Sequence, residues 1–384
     1  MIAVIADDLT GAAELGGIGL RYGLAVEINT KINSNSKADL LVIAGDTRSK
    51  NKKEAVEEMV DITAKVAKFK PALIYKKVDS VLRGHVIDEL TAQLKELRLS
   101  KALLVPANPD LGRTIRDGTY YLNDEPIHLS SFSKDPEFAI NSSGVLDMLR
   151  GNGFTIQVRK KEEGLLHKGI TVGEALNSND LKAWAAQIDD NTLIAGASGF
   201  FTAILDNILS NADQHAAINP PDLSYPALYI SGTTFNKKIE DIRKIKNNGG
   251  PVSYMPSQII ASPNPPVDVY NKWAVEVVAL LSNHKKAIIA IDPNTVQKKE
   301  TALSLRTKTA IAAERIFDQI YIRELFVEGG STAAAIIKRL NFNCFYPVKE
   351  YAPGIVRMRV EGKQNLHLTI KPGSYDWPQE VWDF

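Results

Sequence analysis

The chain has 384 residues, more than one hydrophobic core usually serves, so two domains are expected. Its composition is that of an ordinary soluble globular protein, 44% hydrophobic and 24% charged, and a net charge of +1 argues against nucleic acid or an acidic membrane as partner. The single Cys344 excludes an internal disulfide and a cysteine zinc cage, and the histidines form no HxxxH or HxH pair, so no resident metal site is expected.

The chain opens with MIAVIADDLTG, in which an apolar run meets two adjacent carboxylates, Asp7 and Asp8. The run is short, is broken by Asp7 and has no basic stretch before it. It reads as a strand and not a signal peptide, and no apolar run approaches a membrane span, so a cytoplasmic location is expected. Carboxyl ends of strands form the ligand crevice of open α/β sheets, where paired acids can accept protons from hydroxyls or hold a cation. The plain alternative is that one acid caps the following helix and the other faces water.

A helical pattern over 12–22 is followed by strands at 25–30 and 39–46, a helix over 52–69, a strand at 72–78, a helix over 84–97 and a strand at 101–107. This alternation predicts βαβ units and a parallel sheet whose apolar strands are covered on both faces. Four strand ends carry polar residues and should converge on one side of the sheet: Asp7-Asp8, Asp46-Thr47-Arg48, Lys76 to Ser80, and Asn108. Residues 110–150 read as a turn-rich excursion or short hairpin. Strands return at 155–159, 169–174 and 192–198, with a helix over 181–188. The proline-rich 215–226 reads as a linker, giving domains 1–220 and 221–384.

The second half repeats the α/β alternation, with strands at 227–233, 251–255, 286–292 and from 324, and helices through 243–246, around 268–283, around 302–320 and after 330. Two of its strands end in small residues at a helix start, Ser231-Gly232-Thr233-Thr234 and Glu328-Gly329-Gly330-Ser331-Thr332, where free backbone N–H groups favour phosphate. No GxxxxGK[ST] occurs, which excludes a P-loop. Gly17-Ile18-Gly19 lies inside the first helix and reads as close packing. Two strands are expected near the C-terminus, the second ending in Lys371-Pro372-Gly373-Ser374, either a phosphate-holding turn or an ordinary β-turn.

Taken together, IADDLTGA (5–12), DTRS (46–49), YKKVDSVLRGHV (75–86), PANPDLGRT (106–114), GASGF (196–200), ISGT (230–233), EGGSTA (328–333), APG (352–354) and KPGS (371–374) closely resemble the four-carbon acid sugar kinase family. They occur in family order and cover essentially the whole chain. The resemblance implies an α/β fold of two Rossmann-like domains with mostly parallel sheets, an N-terminal acid-sugar domain, a C-terminal ATP domain and a ligand cleft between them. It implies ATP with Mg2+, a hydroxyl of threonate, erythronate or an oxo-tetronate as acceptor, and self-association left open.

The resemblance implies a catalytic set of Asp8 or Asp7 as base, with Lys77 or Arg83 neutralising the transferred phosphoryl. For the sugar acid it implies Asp7, Asp46, Arg48, Lys76, Lys77, Asp79, Ser80, Arg83, Gly84, Asn108, Arg113 and Thr114. Arg48 and Arg83 can each fork onto a carboxylate, and strand alternation lets only one of Lys76 and Lys77 face the site. For the nucleotide it implies Ser231, Gly232, Thr233, Glu328, Gly329, Gly330, Ser331, Gly354, Lys371 and Gly373. The chain departs from the family where Ser331 fills a place often held by an acid, leaving the role of Glu328 open, and where His85 replaces a small or amide residue. A dehalogenase-like phosphatase needs a second aspartate two residues after the first, a spacing that Asp7-Asp8-Leu9 lacks. A non-catalytic sugar-acid binder, or a kinase of another small hydroxy acid, remains as the alternative.

Overall fold

The computed structural model describes all residues except 136–137, 151–153, 210–221, 233–235, 296–300 and 374. The chain divides into two compact units, Met1–Ala216 and Ala217–Phe384. In the first, the strands are β1 (Ile2–Ala6), β2 (Val26–Asn29), β3 (Leu40–Ala44), β4 (Leu73–Lys77), β5 (Lys101–Val105), a small antiparallel set β6 (Arg113–Arg116), β7 (Thr119–Leu122) and β8 (Glu125–Pro126), then β9 (Ile156–Arg159), β10 (Gly169–Gly173) and β11 (Thr192–Gly196). Between them lie α1 (Leu9–Arg21), α2 (Lys52–Ala67), α3 (Val86–Glu96), α4 (Val145–Met148), α5 (Ser178–Ala185) and α6 (Ser198–Ile208).

The main sheet of this unit runs β2-β3-β1-β4-β11-β5-β10-β9 with every neighbouring pair parallel. Both faces are covered, α1 packing with α6 and α2 with α3, which is why LLVIA and ALLV are apolar at every position. The connections from β1 lead first to β2 and β3 on one side, and α2 then carries the chain across to β4 on the other. The reversal falls at the carboxyl ends of β1 and β4, where doubly wound sheets bind ligands. Gly19 serves the close packing read from the sequence: a Cβ there would lie 2.4 Å from Leu40 Cδ2 and 2.9 Å from Val26 Cγ2. The sequence reading missed α6, whose Ser-Gly-Phe-Phe start follows β11 without a side-chain cap.

The second unit contains β12 (Ala227–Ser231), α7 (Asn236–Asn247), β13 (Val252–Tyr254), α8 (Ser257–Ala261), α9 (Val267–His284), β14 (Lys286–Ala290), α10 (Ala302–Phe317), β15 (Glu324–Glu328), α11 (Gly330–Arg339), β16 (Cys344–Ala352), β17 (Ile355–Val360) and β18 (His367–Lys371). Its sheet runs β13-β14-β12-β15-β18-β17-β16, parallel as far as β18 and antiparallel beyond. The fold is thus α/β with mostly parallel sheets. One sheet face carries α9, α10 and α11 side by side. On the other, Tyr229 and Phe326 stack at 4.3 Å against a chain end that brings Trp377, Val381, Trp382 and Phe384.

Two expectations change here. The C-terminal stretch holds three strands, because Cys344–Ala352 pairs with β17 through two register shifts. The APG segment is the turn between them, with Gly354 at φ +77. The short helix α8 was also unanticipated. Of the predicted linker, residues 215–221 lie outside the described residues and 222–226 form no regular element.

Candidate active site

At the end of β1 the two carboxylates take different partners. Asp8 is extended (φ −145, ψ 163) and caps α1, accepting from the Gly11 N–H at 2.8 Å and from the Thr10 hydroxyl. Asp7 does not face water. It is 4% exposed and receives the fork of Arg48, Nε at 2.8 Å and Nη2 at 2.9 Å. The third nitrogen of Arg48, Nη1, reaches Asp8 at 3.1 Å and lies 3.8 Å from Asp79. The backbone places this arginine, since the amides of Thr47 and Arg48 both donate to the Asp7 carbonyl. One guanidinium therefore joins carboxylates from the ends of β1 and β4.

The row continues along the β4–α3 loop. Asp79 accepts the fork of Arg83, at 2.8 Å from Nε and 2.9 Å from Nη2, and the Arg83 amide at 3.1 Å. Arg83 Nη1 donates to Asp135 at 2.7 Å. Ser80 accepts from Arg113 Nη1 at 2.6 Å, and its carbonyl accepts the Tyr120 hydroxyl. The Phe132 ring lies 5.4 Å from the Arg83 guanidinium carbon and 5.8 Å from that of Arg113. Gly84 sits at φ +89, and a Cβ there would lie 3.1 Å from Arg48 Cγ. A side chain at this position would strain the backbone and crowd the arginine.

The two lysines of β4 separate as alternation requires. Lys77 turns to the α1 face, where it donates to the Val78 carbonyl at 2.9 Å and lies 3.6 Å from Glu14. Lys76 turns to the other face and pairs with Glu89 at 2.6 Å, both fully buried, so it takes no part in the row. Asn108 donates to Ser198 at 2.9 Å. Thr114 lies beside Arg113 on β6, opposite Tyr121, and Asp46 is exposed at φ 47. His85 donates through Nε2 to the Lys50 carbonyl at 2.8 Å. Phe132, Asp135 and Tyr120 were not found from the sequence; they lie in 110–150, where no periodicity marked them.

Burial works against ionisation of Asp8, but Arg48, Lys77, Thr10 and the Gly11 amide outweigh it, and its pKa falls below the ordinary 3.8. Burial likewise opposes ionisation of Asp79, and Arg83 and Arg48 drive its pKa far below the usual carboxylate range. A carboxyl with a folded pKa below its unfolded value stabilises the fold fully above the unfolded value. It loses that contribution as pH falls toward the folded one. Thermal stability of the first unit is therefore expected to hold down to pH about 5 and to fall below pH about 4. Melting followed by circular dichroism across that range checks it; a loss centred near pH 6 would contradict it.

In the second unit, β12, β15 and β18 end side by side. Glu328, 1% exposed, accepts from Ser231 Oγ at 3.1 Å and from Lys371 Nζ at 2.7 Å. Lys371 donates its other two protons to the carbonyls of Pro372 at 3.0 Å and Tyr375 at 2.6 Å, and lies 5.3 Å from the centre of the Trp377 ring. All three of its donors are thus engaged internally. Burial lowers its pKa against the opposing pull of Glu328. Gly329, at φ +96, turns the chain into α11, whose first residues are Gly330 and Ser331. A Cβ on Gly232 would lie 2.1 Å from Thr332 Oγ1, so the two glycine turns approach each other closely. Gly373 follows β18 in a turn, and the predicted contact Thr233 lies outside the described residues.

The charged row lies at the strand reversal, the place where doubly wound sheets bind their ligands. Residues 2–204 match the family model described as a sugar-binding N-terminal domain, and the chain belongs to this family, that of the four-carbon acid sugar kinases. The chain is 23% identical over 390 residues to the D-threonate kinase of Salmonella typhimurium, covering 92% of this chain and 89% of that one. It is 22% identical over 410 residues to a 3-oxo-tetronate kinase of Haemophilus influenzae, covering 98% and 97%. The D-erythronate kinase of Heliobacterium modesticaldum is 28% identical over 231 residues, about half of each chain (53% and 52%). Among solved structures, a Haemophilus influenzae protein shares the fold with a TM-score of 0.71 at 20% identity, covering 98% of this chain and 97% of that one. A Salmonella typhimurium LT2 protein does so with a TM-score of 0.78 at 18% identity, covering 98% and 96%.

Proposed function

We propose that this protein is an ATP-dependent kinase that phosphorylates a hydroxyl of a four-carbon sugar acid. The observation that carries the reading is the row Asp8–Arg48–Asp79–Arg83 at the strand reversal of the first unit, in a chain of this family. The first unit would hold the sugar acid and the second the nucleotide. The free N–H groups of Gly330 and Ser331 at the start of α11 suit nucleotide phosphates, with Ser231, Gly232 and Gly329 allowing close approach and Gly354 and Gly373 available to the rest of the nucleotide.

Phosphoryl transfer asks the protein for positioning and charge more than for covalent chemistry. Asp8, held ionised and fixed by its capping bonds, would orient the attacking hydroxyl and accept its proton. Asp7 supports it by fixing Arg48. Lys77, which is close enough to lower the Asp8 pKa, is the cation we assign to the transferred phosphoryl. No cluster of three acidic, histidine or cysteine side chains suited to a metal occurs among the described residues. Magnesium would enter as part of the nucleotide substrate, coordinated by phosphate oxygens and water. No helix among the described residues is long and apolar enough to cross a membrane.

The test is ADP release on a panel of threonates, erythronates and oxo-tetronates with ATP and magnesium. Release dependent on one of these acids is expected, together with a rise in melting temperature on adding the nucleotide. Acid binding without ADP release and without a nucleotide-dependent shift would favour a non-catalytic sugar-acid binder. Release dependent only on a different hydroxy acid would move the substrate class.

A further inference from the structure

The forks of the two arginines first considered for the substrate carboxylate are already occupied. Arg48 spends two nitrogens on Asp7 and the third on Asp8. Arg83 spends two on Asp79 and the third on Asp135. An incoming carboxylate would have to displace a buried internal one, losing as much charge pairing as it gains. Lys77 lies on the α1 face beside Glu14 and is bonded to a backbone carbonyl.

Arg113 differs. Its Nη1 donates to an uncharged partner, the Ser80 hydroxyl, and its buried Nε has no hydrogen-bond partner among the described residues. Its position is firmly set. The turn 108–113, closed by Gly112 at φ +66, ties the amide of Arg113 to the Asn108 carbonyl and that of Asn108 to the Arg113 carbonyl. The guanidinium is thereby held next to the β4–α3 loop, with the Phe132 ring lying near both it and Arg83. A guanidinium with spare donors, fixed geometry and reduced hydration is suited to a planar carboxylate.

We propose that Arg113 binds the carboxylate of the substrate and so selects sugar acids over neutral sugars of the same hydroxyl pattern. This rests on the kinase reading for the identity of the substrate. Asp8 then lies at the hydroxyl end of the ligand and Arg113 at its acid end, with Asp79 and Ser80 along the same row.

The experiment compares Arg113→Gln and Arg113→Lys with the unaltered protein in titrations with a tetronic acid and with its primary amide, which keeps every hydroxyl and loses the charge. Arg113→Gln is expected to weaken acid binding roughly 10- to 150-fold, the range for losing a hydrogen bond to a charged group, while amide affinity and KM for ATP change less than about twofold. Arg113→Lys, which keeps the charge without the fork, should fall between. The proposal is overturned if acid affinity is unchanged in Arg113→Gln, or if acid and amide weaken equally. Should Arg113→Gln fail to fold, the acid-to-amide ratio of Arg113→Lys decides the matter, an unchanged ratio overturning the proposal. If the unaltered protein binds the acid but transfers no phosphoryl group, the kinase reading alone falls; if it binds none of the acids, both do.

Discussion

Replacing Asp8 by asparagine is expected to lower kcat by about 10²- to 10⁴-fold, the usual contribution of a positioned base, with KM for ATP within about twofold. The substitution is close to isosteric, and asparagine caps helices as well as aspartate does. The bond from the Gly11 amide should survive, so α1 should keep its start, and the melting temperature should fall only by what the ionised carboxylate draws from Arg48 and Thr10. What is removed is one negative charge facing Arg48 and Lys77. The loss of rate should therefore fall on the chemical step and not on nucleotide binding. Steady-state kinetics by ADP release, paired with a melting curve, separates these effects. Undiminished kcat would remove Asp8 from the mechanism.

Glu328→Leu should act in the opposite way, on stability before chemistry. Removing this carboxylate leaves the Lys371 ammonium fully buried, bonded among the described residues to two carbonyls and facing one ring. Breaking a buried pair from one side costs about 3–5 kcal/mol. For a unit of this size that corresponds to a fall of roughly 6–20 °C in its melting temperature. Ser231 also loses the acceptor that fixes its hydroxyl, so KM for ATP should rise while affinity for the sugar acid is unchanged. The double variant Glu328→Leu with Lys371→Met removes both charges, and most of the lost stability should return. If the single variant melts like the parent, Glu328 does not brace the three strand ends.

The strand ends of the first unit could be read because each follows an apolar run: Asp7-Asp8 after IAVIA, Arg48 after LLVIA, Asp79 after the lysines of β4. Parallel pairing brings such ends together, and the structure does so. The pairings within the row could not be read. Arg48 pairs with Asp7 because a backbone bond across 41 positions aligns them, which no local pattern records. Alternation correctly separated Lys76 from Lys77, yet only the packing of α1 and α3 decides which lysine faces which layer. The partners of Lys371 could not be read either. Its Pro-Gly-Ser context suggests an anion site, whereas Glu328 and the carbonyl of Tyr375 claim its donors. Strand β16 was missed because Pro347 and the polar Lys349 and Glu350 interrupt its apolar pattern, and pairing with β17 compensates.

The near cancellation of charge along the Asp8–Arg48–Asp79–Arg83 row has a kinetic consequence. Acids and bases alternate and neutralise one another before any ligand arrives, in a chain that is itself almost neutral. The first unit therefore spreads no broad positive field to draw an anion from a distance. Capture of a small acid then rests on contacts made after collision, and dissolved electrolyte has little long-range attraction to weaken.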